Sequence, residues 1–122
     1  MTDSRPLLVA WANYFAGQTS KFVYSEGSDR MSAIGVWPIK YPIHSDCSAF
    51  VTLLHWYAGC EDPNGTGFDH EGYTGTLLGH GLHITADQLQ PGDAVVYGPG
   101  EGEHTALVVQ VTHGQQIGRA HV

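Results

Sequence analysis

Charge is scarce in this chain. Only 14% of its 122 residues are Asp, Glu, Lys or Arg, and only five are basic. Those five, Arg5, Lys21, Arg30, Lys40 and Arg119, are scattered, and the formal net charge is −7. A nucleic-acid binder carries a basic face, so nucleic acid is not an expected partner, and neither is an anionic membrane surface. Long apolar runs are also missing. The longest is Leu7–Ala12, far short of the roughly 20 residues that a membrane-spanning helix needs. No integral membrane association is expected. The N-terminus lacks the basic head and unbroken apolar stretch of a secretory signal. Metal-binding signatures are absent too, since neither H-E-x-x-H nor C-x-x-C occurs.

What is present suits one globular domain spanning residues 1–122. Apolar residues make up 42% of the chain, with 16 Gly and 6 Pro. A disordered chain would be poorer in apolar residues and richer in charge.

Helical signals come first. Pro6–Ala16 reads as a helix, with proline in the first turn and a stripe of Leu7, Leu8, Trp11, Tyr14 and Phe15. Lys21–Tyr24 reads as extended, and Pro38 and Pro42 exclude helix around them. A second helix is predicted from about Asp46 to Ala58, with Ser45 or Asp46 as cap and Gly59 as its stop. Residues 61–73 are turn-rich, and Tyr73–Leu78 predicts a short helix. Strand signals follow at Ala94–Tyr97 and again from His104, joined by a glycine-rich turn. Helices first and strands afterwards predict an α+β domain with a small antiparallel sheet.

The only two cysteines are Cys47 and Cys60. A helix between them separates the sulfurs by about 20 Å, too far for a disulfide. Cys60 then reads as a small buried hydrophobe. Cys47 opens the helix, where the macrodipole and unpaired backbone N–H groups favour a thiolate. The plainer reading is a small residue packed at a helix start. A thiolate nucleophile needs a base, and His104, at the head of a strand after a glycine turn, is the candidate. Its plainer reading is a solvated strand-edge histidine.

Three segments carry a resemblance. They are Asp46-Cys47-Ser48-Ala49-Phe50-Val51, Leu89-Gln90-Pro91-Gly92-Asp93-Ala94-Val95-Val96-Tyr97-Gly98, and His104-Thr105-Ala106-Leu107-Val108-Val109. In order and spacing the chain resembles the NlpC/P60 cysteine peptidases, and among them phage cell-wall lysins, over roughly residues 6–113. The resemblance implies a papain-like fold and hydrolysis of an amide in peptidoglycan stem peptides, commonly the γ-D-glutamyl bond to a diamino acid. It implies Cys47 as nucleophile and His104 as base and then acid. Tyr24, in FVYSEG, would support the oxyanion or the substrate. Asp46 would help hold a substrate ammonium, and Ser48 would stand on the same substrate side. Packing for Tyr24 and helix capping for Asp46 are the plainer roles.

The third catalytic position is less direct. His113, in VTHGQQ, resembles the orienting histidine of the phage relatives. Nine residues of straight strand extend about 30 Å, so His113 reaches His104 only if the chain reverses between them. Gln115, Gln116 or no residue at all are the alternatives. No cofactor or metal is expected. His70, His80 and His83, near Asp69, Glu71 and Asp87, read as surface histidines. His55 lies about 12 Å along the helix from Cys47, too far to be its base, and His44 could line the cleft. Trp37, Tyr41, Trp56, Tyr57, Phe68 and Tyr73 read mainly as core, with residues 61–73 as a cleft wall.

On this reading the protein stays in the cytoplasm until released to the wall, by a holin for example, or travels in a virion. A separate wall-binding module is a further expected partner. Three rivals remain open: another thiol acyl-transfer enzyme on the same fold, such as a transferase or deamidase; a non-catalytic wall-binding domain; and a His-rich metal binder.

Overall fold

The computed structural model describes residues 4–102, 104–112 and 116–120. Three helices and two small sheets make a mixed α+β domain. Helix α1 spans Arg5–Ala16, with proline in its first turn as expected. Strand β1, Phe22–Tyr24, pairs with β2, Ile43–Ser45. Helix α2 spans Cys47–Tyr57 and α3 spans Thr74–Gly79. The second sheet has the order β3-β4-β5, where β3 is Ala94–Tyr97, β4 is His104–Thr112 and β5 is Gln116–Ala120. Among the described residues no helix is long and apolar enough to cross a membrane.

The core forms where α1, α2 and β4 meet. Leu8, Ala12 and Phe15 of α1 pack with Ala49, Phe50, Leu53 and Leu54 of α2 and with Leu107 of β4. Met31, Ile34 and Ile43 close the cluster from the loop and from β2. Phe15, Phe22 and Phe50 contact one another with ring centroids 5.5–6.3 Å apart, near perpendicular. Edge-to-face rings of this kind add to burial because each ring edge meets a neighbour's negative face. Thr105 to Val108 are all buried, so β4 is covered on both faces and is the central strand.

Two features depart from the sequence reading. The Tyr24 segment is not a lone extended piece: β1 and β2 run parallel, with Phe22 opposite Ile43 and Tyr24 opposite Ser45. A three-residue parallel ribbon leaves too short a pattern to read from sequence. Strand β5 also went unforeseen, because its sequence QIGRA has no apolar alternation. It pairs antiparallel with β4, with an irregularity between Val108 and Gln110.

The Pro91-Gly92 turn docks on the sheet. Gly92 N–H donates to Val108 O, and Val108 N–H donates to Asp93 O, both at 2.8 Å. Gly92 has φ +96°, and a side chain there would strike Arg5. Only glycine meets both demands cheaply.

Candidate active site

The start of α2 is held by a dense set of hydrogen bonds. Asp46 has extended backbone, and its Oδ1 accepts the Ala49 N–H at 2.9 Å. This is N-capping: a short carboxylate satisfies an amide that has no helical partner. Oδ2 accepts from Arg30 Nε at 2.9 Å. The same guanidinium donates through Nη2 to Ser48 Oγ at 2.8 Å and to Gly72 O at 2.6 Å. Ser48 donates in turn to Asp46 Oδ1 at 3.1 Å. One arginine therefore ties the loop before β2, the first turn of α2 and the 61–73 loop together.

These bonds bear on the expected substrate contacts. Both carboxylate oxygens of Asp46 are engaged within the protein, and Ser48 is buried with its hydroxyl between Asp46 and Arg30. Both residues hold the helix start in shape. Cys47 follows as the first helical residue, half-buried, and both thiols are free. The Cys60 N–H donates to His55 O. Cys60 is half-buried against the core rather than sealed within it.

Tyr24 arrives beside this turn because β1 pairs with β2, which leads directly into α2. Its side chain is 64% exposed. The hydroxyl donates to Glu26 Oε1 at 2.6 Å, and that bond is the main reason its pKa is pushed up to about 12. Asp46 and Cys47 lie close enough to add to the effect electrostatically. Tyr24 thus stays a neutral phenol with a proton to donate.

His104 opens β4 opposite Tyr97 of β3. The two rings stack with centroids 6.0 Å apart at 19°. A polar relay connects this strand head to the start of α2. Arg30 holds Gly72 O; next along the chain, Tyr73 Oη donates to Glu101 Oε1 at 3.0 Å and Thr74 Oγ1 donates to Gly102 O at 3.4 Å. Gly102 lies two residues before His104. The relay links the loop that Arg30 holds to the turn that precedes β4.

Strand β4 runs without reversal from His104 to Thr112, about 27 Å at strand rise. The chain returns as β5, with Gln116 opposite Thr112 and Ala120 opposite Leu107. His113 and Gln115 lie outside the described residues. The backbone of Gln116 pairs at the end of β4 remote from His104.

No protein-family model, curated protein or solved structure matches the chain.

The 61–73 loop owes its shape to two residues that the sequence reading passed over. Asp62 is buried, and its carboxylate accepts the N–H groups of Asn64, Thr66 and Phe68, the Thr66 hydroxyl and the Asn64 amide. Although burial alone opposes ionisation, these bonds win and hold its pKa at about 2. Asn64 is buried as well. It donates to Thr52 Oγ1 at 2.9 Å and accepts from Thr76 Oγ1 at 2.7 Å, while Thr52 donates to Ser48 O. The Asp-Pro-Asn-Gly string is a turn signal that could have flagged Asp62. Arg30 carries no local signal at all.

Four of the other histidines have neighbours of their own. His55 Nδ1 bonds Val51 O at 2.8 Å, and burial lowers its pKa. His70 Nε2 meets Ile34 O, and His83 Nε2 meets Leu78 O. His44 faces Asp29 at 3.9 Å. Among the described residues, no three His, Cys, Asp or Glu side chains gather as a metal site would require.

Proposed function

We propose that the chain is a cysteine peptidase of the papain-like NlpC/P60 kind that cleaves an amide bond in peptidoglycan stem peptides. The observation that carries this reading is Cys47, half-buried in the first turn of an 11-residue helix capped by Asp46. There the helix dipole and unpaired N–H groups stabilise a thiolate and then an oxyanion beside it. His104 at the head of β4, whose preceding turn bonds to the Tyr73–Thr74 segment, supports it further.

The chemistry runs in two halves. The Cys47 thiolate attacks the carbonyl carbon, forming a C–S bond while the π electrons move to oxygen. The Cys47 N–H and the neutral phenol of Tyr24, once released from Glu26, donate to that oxygen. Collapse breaks the C–N bond, and the leaving amine takes a proton from the His104 imidazolium. Water then attacks the thioester carbon as His104 takes its proton; the C–S bond breaks, releasing the carboxylic acid and restoring the thiolate beside the imidazolium. No third member is proposed: His113 could reach His104 only through a chain reversal, and β4 runs from His104 to Thr112 without one. Release of the protein by a holin, or its carriage in a virion, and pairing with a separate wall-binding module belong to the same proposal.

The test is mass spectrometry of purified peptidoglycan after incubation with the protein. New stem-peptide termini at a γ-D-glutamyl bond, absent with Cys47→Ala, are expected. An acyl group found on a second amine would favour a transferase. An unchanged polymer would leave a wall-binding domain.

A further inference from the structure

We propose that Tyr97 is a positioning residue, whose ring holds the imidazole of His104 in one plane at the head of β4. The two residues belong to facing strands, and the ladder sets them directly opposite each other. Opposed residues of an antiparallel pair project from the same face, with Cβ atoms about 4.5–5.5 Å apart. The register therefore makes Tyr97 the cross-strand neighbour of His104. Among the described residues the β5 ladder reaches only as far as Leu107, so β3 is the strand that pairs with the head of β4.

That register is held on both sides of the pair. Thr105, next to His104, donates Oγ1 to Val95 O at 2.7 Å. The connecting turn is pressed onto β3: a Cβ on Gly102 would come within 2.4 Å of Val96 Cγ1, and its φ of +87° suits glycine. Tyr73 and Thr74 bond to Glu101 and Gly102 of the same turn. A slip of one residue would turn Tyr97 to the face opposite His104 and break these contacts.

The rings lie with centroids 6.0 Å apart and planes at 19°, within the roughly 4.5–7 Å of offset-stacked aromatic pairs. Both side chains are half-buried. The torsion that turns an imidazole about its Cβ–Cγ bond is broad and roughly two-fold. A histidine left alone at a strand head would present its nitrogens in many directions. A parallel ring alongside removes that freedom, because turning the imidazole gives up face contact. Stacking fixes the plane and leaves the tautomer to hydrogen bonds. In a Ser-His-Asp triad a carboxylate orients the imidazole; here a ring on the paired strand sets its plane. The catalytic consequence rests on the proposed function, in which His104 takes and returns a proton. A base does so only with its nitrogen within hydrogen-bond reach of that proton.

The test uses the full chain with Tyr97→Phe, which keeps a ring, and with Tyr97→Leu and Tyr97→Met, which remove it. The first readout is proton NMR of the His104 ring, assigned among the eight histidines by the signals missing from His104→Ala. The ring current of Tyr97 displaces those signals. The displacement should persist in Tyr97→Phe and vanish in Tyr97→Leu and Tyr97→Met. The second readout is turnover of soluble peptidoglycan fragments. In the ring-free variants kcat should fall about 10–100-fold with KM within about twofold, and Tyr97→Phe should restore it. Unmoved His104 signals in a folded ring-free variant would overturn the proposal. So would wild-type kcat in such a variant, a loss carried by KM alone, or a folded Tyr97→Phe as slow as Tyr97→Leu. Unfolding of both ring-free variants would overturn it as well, by making Tyr97 a structural residue. The ring-current displacement in a wild-type protein that cleaves nothing would uphold the positioning and remove the enzymatic reading.

Discussion

Arg30 Nε lies 2.9 Å from Asp46 Oδ2, and the other oxygen of that carboxylate caps the helix that begins at Cys47. Both side chains are 15% exposed, so the pair works in partial shelter from water. Its value is geometric: the cap and the guanidinium fix where the first turn starts, and Gly72 O fixes where the loop lies. Arg30→Ala strands a half-buried carboxylate and should destabilise the fold by about 2–4 kcal/mol. Arg30→Lys retains the charge but loses the fork and should recover only part of that loss. Thermal and urea unfolding would measure both, and wild-type stability in Arg30→Ala would refute the role.

Cys47→Ala should abolish wall cleavage while the melting temperature stays within a few degrees. Cys60→Ser should keep activity, because Cys60 lies beyond the far end of α2, about 20 Å from Cys47 by helical rise. Near-wild-type turnover by Cys47→Ala would eliminate it as nucleophile.

His104→Ala should remove turnover and also slow alkylation of Cys47 by iodoacetamide at neutral pH, since a neighbouring imidazolium favours the thiolate. Alkylation rate against pH, in wild type and variant, measures this. Superimposable profiles would show that the two side chains do not interact.

Acid should loosen the 61–73 loop in a defined window. The Asp62 carboxyl is held at about 2 in the fold, against about 3.9 in an unfolded chain. Its stabilisation is complete above pH ~4 and is lost as pH falls toward ~2, because only the unfolded chain takes up a proton in that interval. The shift corresponds to about 2–3 kcal/mol. Asp62→Asn, which points an NH₂ at N–H donors, should cost a similar amount at neutral pH and flatten this acid limb. His55, lowered by burial, contributes a further loss as pH falls below ~6.5. Stability against pH for wild type and Asp62→Asn provides the comparison.

Gly72→Ala should perturb the 61–73 loop without touching the core. A Cβ there would come within 2.3 Å of the Asn64 side chain, which is itself held by Thr52 and Thr76. A loss of about 1–3 kcal/mol is expected, read by chemical denaturation.

Much of the scaffold was legible from the chain alone. Proline in the first turn and a helical stripe marked α1; Asp46 ahead of an apolar period marked α2; a Pro-Gly pair and β-branched residues marked β3 and β4. These signals are local, since capping, turn geometry and side-chain periodicity act within a few residues, so position along the chain is enough to read them. The separation of the two cysteines followed from the same helix.

What joins those elements was decided only in three dimensions. The parallel pairing that carries Tyr24 to the start of α2 and the guanidinium of Arg30 spanning three segments link residues far apart in sequence. Such contacts depend on which surfaces the packed core leaves facing one another, and no pattern within a single segment encodes that.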